Sequence, residues 1–117
     1  MEFMNYSSSG YTGPAARFGA GVQGYEAFIA AHSHGLRVLS GTCLTVGLVG
    51  GYSQGGGHSA LSSLRGLAAD QTLEWEVVTA KGNLVRAAPD ENADLYWALS
   101  GGGGGTFGVV LLSLIHI

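Results

Sequence analysis

One stretch concentrates the residue types that could do chemistry: Ser40-Gly-Thr-Cys-Leu-Thr-Val-Gly-Leu-Val-Gly-Gly-Tyr-Ser-Gln-Gly-Gly-Gly-His-Ser59. Its glycines (Gly41, Gly47, Gly50, Gly51, Gly55, Gly56, Gly57) surround the chain's single cysteine, Cys43. Glycine loses the most backbone entropy on ordering, so neither a helix nor a strand suits this composition. A turning backbone with bare N–H groups does suit it. Such concavities bind phosphate without Lys or Arg. The reading is a diphosphate cradle with one thiol beside it.

Composition narrows the rest. The chain has 117 residues, 46% of them apolar and only 11% charged, with 21 glycines. That is enough to bury one core, and too apolar for a disordered chain. Net charge is −3 and Lys plus Arg number 5. A nucleic-acid partner is therefore not expected, because the basic footprint it needs is missing. One cysteine makes no internal disulfide. No apolar run approaches a membrane span, and no signal-like segment opens the chain, so no membrane partner is expected.

The elements that must position the cradle follow in order. Residues 1–16 read as irregular, with their serines, glycines and Pro14. Arg17–Val22 reads as a short strand, and Gln23–His34 as a helix stopped by Gly35, leaving His32 and His34 at its end. Leu36–Ser40 reads as a strand entering the cradle, and His58–Leu64 as a short helix. Thr72–Ala80 and Asn83–Ala88 alternate around Lys81-Gly82 as a hairpin, with Leu73, Trp75, Val77 and Thr79 on its apolar face. A helix opens near Pro89-Asp90, with Asp90 as N-cap, and ends at Gly101–Gly105. Thr106–Leu112 reads as a buried strand. Trp75 and Trp97 read as core.

Gly19-Ala-Gly-Val-Gln-Gly24 is formally G-x-G-x-x-G. A dinucleotide fold also needs an acidic residue about 20 positions later for the ribose. No Asp or Glu lies between Glu26 and Asp70, so a Rossmann-type nicotinamide binder is the remote alternative. No P-loop lysine, G-x-S-x-G or H-E-x-x-H occurs, and the histidines are too isolated for a metal site.

Four motifs in order resemble the flavin domain of the berberine-bridge-enzyme-like oxidoreductases. These belong to the vanillyl-alcohol oxidase, or p-cresol methylhydroxylase, superfamily, and the likeness is strongest to its fungal members. The motifs are Cys43-Leu-Thr-Val-Gly47, Gly50–Ser59, Gly66-Leu-Ala-Ala-Asp-Gln71 and Asn92–Val109. The resemblance implies an α+β fold: a partial p-cresol methylhydroxylase-type FAD-binding domain over 17–112, with a mixed or antiparallel sheet and flanking helices. Residues 113–117 form a tail unlike the family's. The resemblance also implies FAD as cofactor. Cys43 aligns with the cysteine that bonds flavin C6 in bicovalent members. Thr45, Val46, Gly47, Gly50, Gly51 and Gly55 would line the diphosphate and ribityl path, with Gly56, Gly57 and His58 beside it. Gly105, Gly108 and Val109 would approach from the far side.

Cys43 has two readings. A thiolate among free N–H groups can attack an electron-poor ring, or the residue is a small filler of a tight loop. The family's upstream histidine loop, its substrate domain and its catalytic base do not align with any part of the sequence. Position 44 is Leu where many relatives have proline. The chain is therefore expected to be a fragment of an FAD-dependent oxidoreductase. When complete, that enzyme oxidises a small molecule by hydride transfer to flavin, with oxygen as the usual reoxidant. The alternative is a truncated, non-catalytic product of a degenerate or wrongly assembled gene. Relatives are often secreted; localisation is left open.

Overall fold

The computed structural model describes residues 1–117. Five strands form one sheet in the order β1-β2-β5-β3-β4. They are β1 Glu2–Ser7, β2 Thr12–Gly19, β3 Thr72–Val78, β4 Leu84–Ala87 and β5 Val109–His116. Every pairing is antiparallel. The helices are α1 Gly24–Ser33, α2 Ser62–Arg65 and α3 Ala93–Leu99. This is an α+β arrangement with an antiparallel sheet and flanking helices, as expected.

The core sits on one sheet face. Ala16, Phe18, Trp75, Val77, Val110 and Ile115 point into it, met by Ala27 and Ala31 of α1, Leu48, Val49 and Leu99. Trp75 is fully buried, and its Nε1 donates to Ser100 Oγ at 3.2 Å. The opposite face carries charge. Glu74 is buried there and accepts from Arg86 Nε at 2.7 Å, with Arg17 at 3.6 Å on its other oxygen. Arg86 also reaches Glu91 at 3.0 Å. These carboxylates hold its guanidinium above the ordinary arginine value, against the opposing effect of burial.

The expected hairpin is present, with Trp75 opposite Ala87 and Val77 opposite Val85. Its alternation is imperfect because β3 is irregular between Thr72 and Glu74, so both of these are buried with Trp75. The helix read over Gln23–His34 is also present. Glu26 reaches back to the Gln23 N–H at 2.8 Å. At its end Gly35 has φ +70°, and Leu36 N–H bonds to Ala31 O at 2.9 Å, the closing pair of a Schellman turn.

Several expectations fail, each for a physical reason. Residues 1–16 are not irregular: they form β1 and the start of β2. Pro14 is tolerated because its carbonyl points toward the β5 side, accepting from Ile117 N. In an antiparallel strand a residue's N–H and C=O share a side, so the missing N–H is not taken from the β1 ladder. The strand expected at Thr106–Leu112 starts at Val109 and continues through the supposed tail. Leu114 and Ile115 are 0% and 1% exposed, because β5 is the middle strand of the sheet. Leu36–Ser40 buries Val38 and Leu39 but pairs with no strand. The segment read as a helix over His58–Leu64 is helical only from Ser62, because the Ser59 and Ser62 side chains bond nearby backbone N–H groups and turn the chain first. Asp90 does not cap α3. It pairs with Arg86 at 3.4 Å, and Asn92 in left-handed conformation (φ 50°) precedes the helix. Trp97 is 80% exposed rather than core.

Candidate functional site

The cradle sequence folds around one wide helical turn, Leu48–Tyr52. Leu48 and Val49 anchor it in the core, and Gly50 leaves helical geometry at ψ −111°. The carbonyls of this turn are taken by side chains that follow it. Ser53 Oγ donates to Leu48 O at 2.7 Å, and Gln54 Nε2 donates to Gly50 O at 3.0 Å and Val49 O at 3.4 Å. Gln54 O in turn accepts from Gly103 N at 2.8 Å. That bond ties the turn to the five-glycine loop after α3.

The contact is close because Gly51 and Gly104 carry no side chains. A Cβ on Gly104 would lie 3.9 Å from Gln54 Nε2 and 4.0 Å from Gly51 Cα. The two loops enclose a cleft of about 270 Å³ lined by Gly50, Gly51, Gln54, Gly104, Gly105, Gly108, Val109 and Val110. Residues read as opposite walls of one site, Gly50 and Gly51 against Gly105, Gly108 and Val109, thus meet in space. The N–H groups of Gly104, Gly105 and Thr106 donate to no group of the chain. Gly108 has a second duty, since a Cβ there would come within 2.6 Å of Val77 Cγ1.

A neighbouring cavity of about 200 Å³ holds the thiol. It is lined by Gly41, Thr42, Cys43, Val46, Tyr52 and His58. Cys43 is exposed. The N–H groups of Gly41 through Thr45 bond to no group of the chain. The loop is held from behind by the start of α1: Gly24 N donates to Val46 O at 2.9 Å and Tyr25 N to Leu44 O at 3.0 Å. Those helix-start donors are therefore spent. The G-x-G-x-x-G segment does turn from strand to helix, but β2 is antiparallel to both its neighbours. It lacks the parallel unit and the free helix start on which a dinucleotide fingerprint depends.

Tyr52 spans the two sides of this second cavity. Its ring lies against Gly41, where a Cβ would be 3.3 Å away, and against Gly57, where it would be 2.8 Å away. Its hydroxyl donates to His58 O at 2.9 Å, and burial raises its pKa. Gly57 sits at φ +73°, with a Cβ position 2.7 Å from Ala68 Cβ. Thr45, Gly47, Gly55, Gly56 and Gly57 line neither cavity. Gly47 bridges to Gln23, and Gly55 packs behind the turn against Gly51 O. Sequence reasoning missed Gln54 and Tyr52. The signal for both was large side chains inside a run where glycine otherwise prevails.

The donor set fits FAD. Unpaired N–H groups line a cleft without cations, which suits a diphosphate. A thiol opens into the adjoining cavity. Gln54 Oε1, on a residue lining the cleft, is buried and accepts no hydrogen bond.

Residues 4–88 match the family model described as FAD binding domain. An FAD-linked oxidoreductase, patO, of Penicillium expansum is 64% identical over 110 residues, covering 94% of this chain and 19% of that protein. The crystal structure of the VAO-type flavoprotein MtVAO615 from Myceliophthora thermophila C1 superimposes with a TM-score of 0.96 at 61% identity, over 98% of this chain and 21% of that one. A glucooligosaccharide oxidase from Acremonium strictum, with a 6-S-cysteinyl, 8α-N1-histidyl FAD, gives a TM-score of 0.80 at 36% identity, over 87% of this chain and 21% of that one. The chain spans about a fifth of the length of these relatives. It belongs to the FAD-binding-domain family of the FAD-linked, VAO-type oxidoreductases.

Proposed function

We propose that this chain seats FAD across the two cavities, as the cofactor-holding part of an oxidoreductase acting on a small molecule. The observation that carries this reading is the meeting of Gly50–Gln54 with Gly104–Val109 in one cleft. The N–H groups of Gly104 and Gly105 would hold the diphosphate, with Gly50 and Gly51 letting it approach closely. Cys43, Val46, Tyr52 and His58 would face the flavin ring from the second cavity. When bound, the flavin supplies a hydride acceptor for a substrate C–H bond. The protein's own work is to bind it, orient it and exclude water from it.

Cys43 is the proposed attachment point for a covalent flavin. The free N–H groups of Gly41 to Thr45 favour the thiolate that attachment needs, and the A. strictum oxidase carries a cysteinyl FAD. The test is a mass spectrum of the Cys43 peptide after the chain is incubated with FAD in air and then denatured. A flavin mass that disappears in Cys43→Ser supports the link; FAD released intact from both overturns it. Oxygen is the proposed reoxidant. Under either reading the fragment alone turns over no substrate; the alternative, a truncated non-catalytic product, is favoured if the purified chain stays colourless with added FAD.

A further inference from the structure

Gln54 carries an inference beyond the glycines. It is 4% exposed and lines the glycine cleft. Its carboxamide orientation is set by its surroundings: the nitrogen must face Gly50 O at 3.0 Å and Val49 O at 3.4 Å, because an oxygen there would meet two acceptors. Oε1 therefore turns away from those carbonyls, buried and without a donor. A buried acceptor left unpaired costs free energy that a paired one does not. No other residue lining the cleft has a polar side chain. The atom is closed off from bulk water, so a donor reaches it only with a local shift of the cleft wall.

We infer that Gln54 Oε1 accepts a hydrogen bond from a ligand hydroxyl next to the diphosphate, which makes Gln54 a binding residue of the cleft. The inference rests on the FAD reading and deepens it. The unpaired N–H groups of Gly104 and Gly105 belong to residues lining the same cleft and suit the diphosphate. On either side of its diphosphate FAD carries hydroxyls, those of the ribityl chain and those of the adenosine ribose. Both sources share the chemistry, an alcohol O–H donating to an amide carbonyl.

The experiment titrates the 117-residue chain, wild type and Gln54→Met, with FAD, riboflavin, ADP and lumiflavin, which has the ring but no sugar hydroxyls. Met keeps the length of the side chain and removes the acceptor. The expected result is a loss of about tenfold in FAD affinity, the size of one hydrogen bond. The same loss should appear with riboflavin if the ribityl chain donates, or with ADP if the ribose does. Lumiflavin should be unaffected. An unchanged FAD affinity, or an equal loss with lumiflavin, overturns the assignment. Wild type failing to bind FAD overturns the FAD reading and this inference with it. A second measurement on wild type avoids any folding defect of the variant. The Gln54 side-chain carbonyl carbon should shift in its NMR spectrum on adding FAD and stay fixed on adding lumiflavin; a fixed signal with FAD overturns the assignment.

Discussion

The sheet and the glycine loops spend their backbone polar groups in opposite ways. In the sheet, the N–H and C=O groups between neighbouring strands are paired, over a core built on Phe18, Trp75 and Ile115. In the loops, N–H groups at Gly41–Thr45 and Gly104–Thr106 are unpaired. The loops stay in place through a few fixed ties: Gln54 to Gly103, Tyr52 to His58, and the start of α1 to Leu44 and Val46. Stability and binding thus draw on separate groups, and substitutions should separate them.

The largest effect should come from the sheet. Trp75→Ala empties the centre of the core and should cost about 3–5 kcal/mol, read by urea unfolding. Gly57→Ala tests the loop ties. Its φ of +73° and the 2.7 Å approach to Ala68 give a Cβ no room, and the expected cost is about 1–3 kcal/mol, with the Tyr52 ring displaced from the Cys43 cavity. A loss under half of the lower figure would show that the loop is not held as described.

Tyr96 tests a tie between α3 and the sheet. Its hydroxyl donates to Thr72 O at 2.7 Å. Burial, with the Asp70 charge adding, raises its pKa above the ordinary 10.0. An unfolded tyrosine ionises near 10.0, before the folded one. The contribution is therefore complete below that pH and is lost as pH rises through it toward the folded value. Tyr96→Phe should cost about 0.5–1.5 kcal/mol at neutral pH and flatten the alkaline decline of thermal stability. A decline of unchanged steepness would contradict this. The smallest effect belongs to Trp97→Ser. That ring is 80% exposed, so unfolding should shift by no more than about 0.5 kcal/mol.

The division between paired and unpaired backbone also decides what could be read from sequence. The hairpin at Trp75 and Val85 was legible because alternation and a Lys81-Gly82 turn are local signals. The helix before Gly35 was legible for the same reason. β1 and the end of β5 were not. Their strand character comes from partners far along the chain, Glu2 with Arg17 and Leu114 with both Arg17 and Glu74. In the central strand Ser113, Leu114 and Ile115 are buried in succession, so that stretch shows no alternation to detect. In the site, composition pointed to Cys43 and its glycine-rich stretch, and the family resemblance singled out Gly50, Gly51, Gly105 and Gly108. It could not separate these from Gly55 and Gly57, whose missing side chains serve packing. Gln54 was hidden because its interest lies in a hydrogen bond it does not make, which only folded geometry exposes.

The most direct test compares FAD titrations of wild type and Gly51→Leu. Gly51 is not at positive φ, and a Cβ there meets nothing within 4 Å, so the variant should fold as wild type does. Its side chain would instead occupy the cleft against Gly104. The account predicts FAD binding by wild type and a loss of about tenfold or more, some 1.4 kcal/mol at least, in a folded Gly51→Leu. Wild type without affinity for FAD, or a folded variant that binds it equally well, would contradict the claim that the two glycine loops form the cofactor's seat.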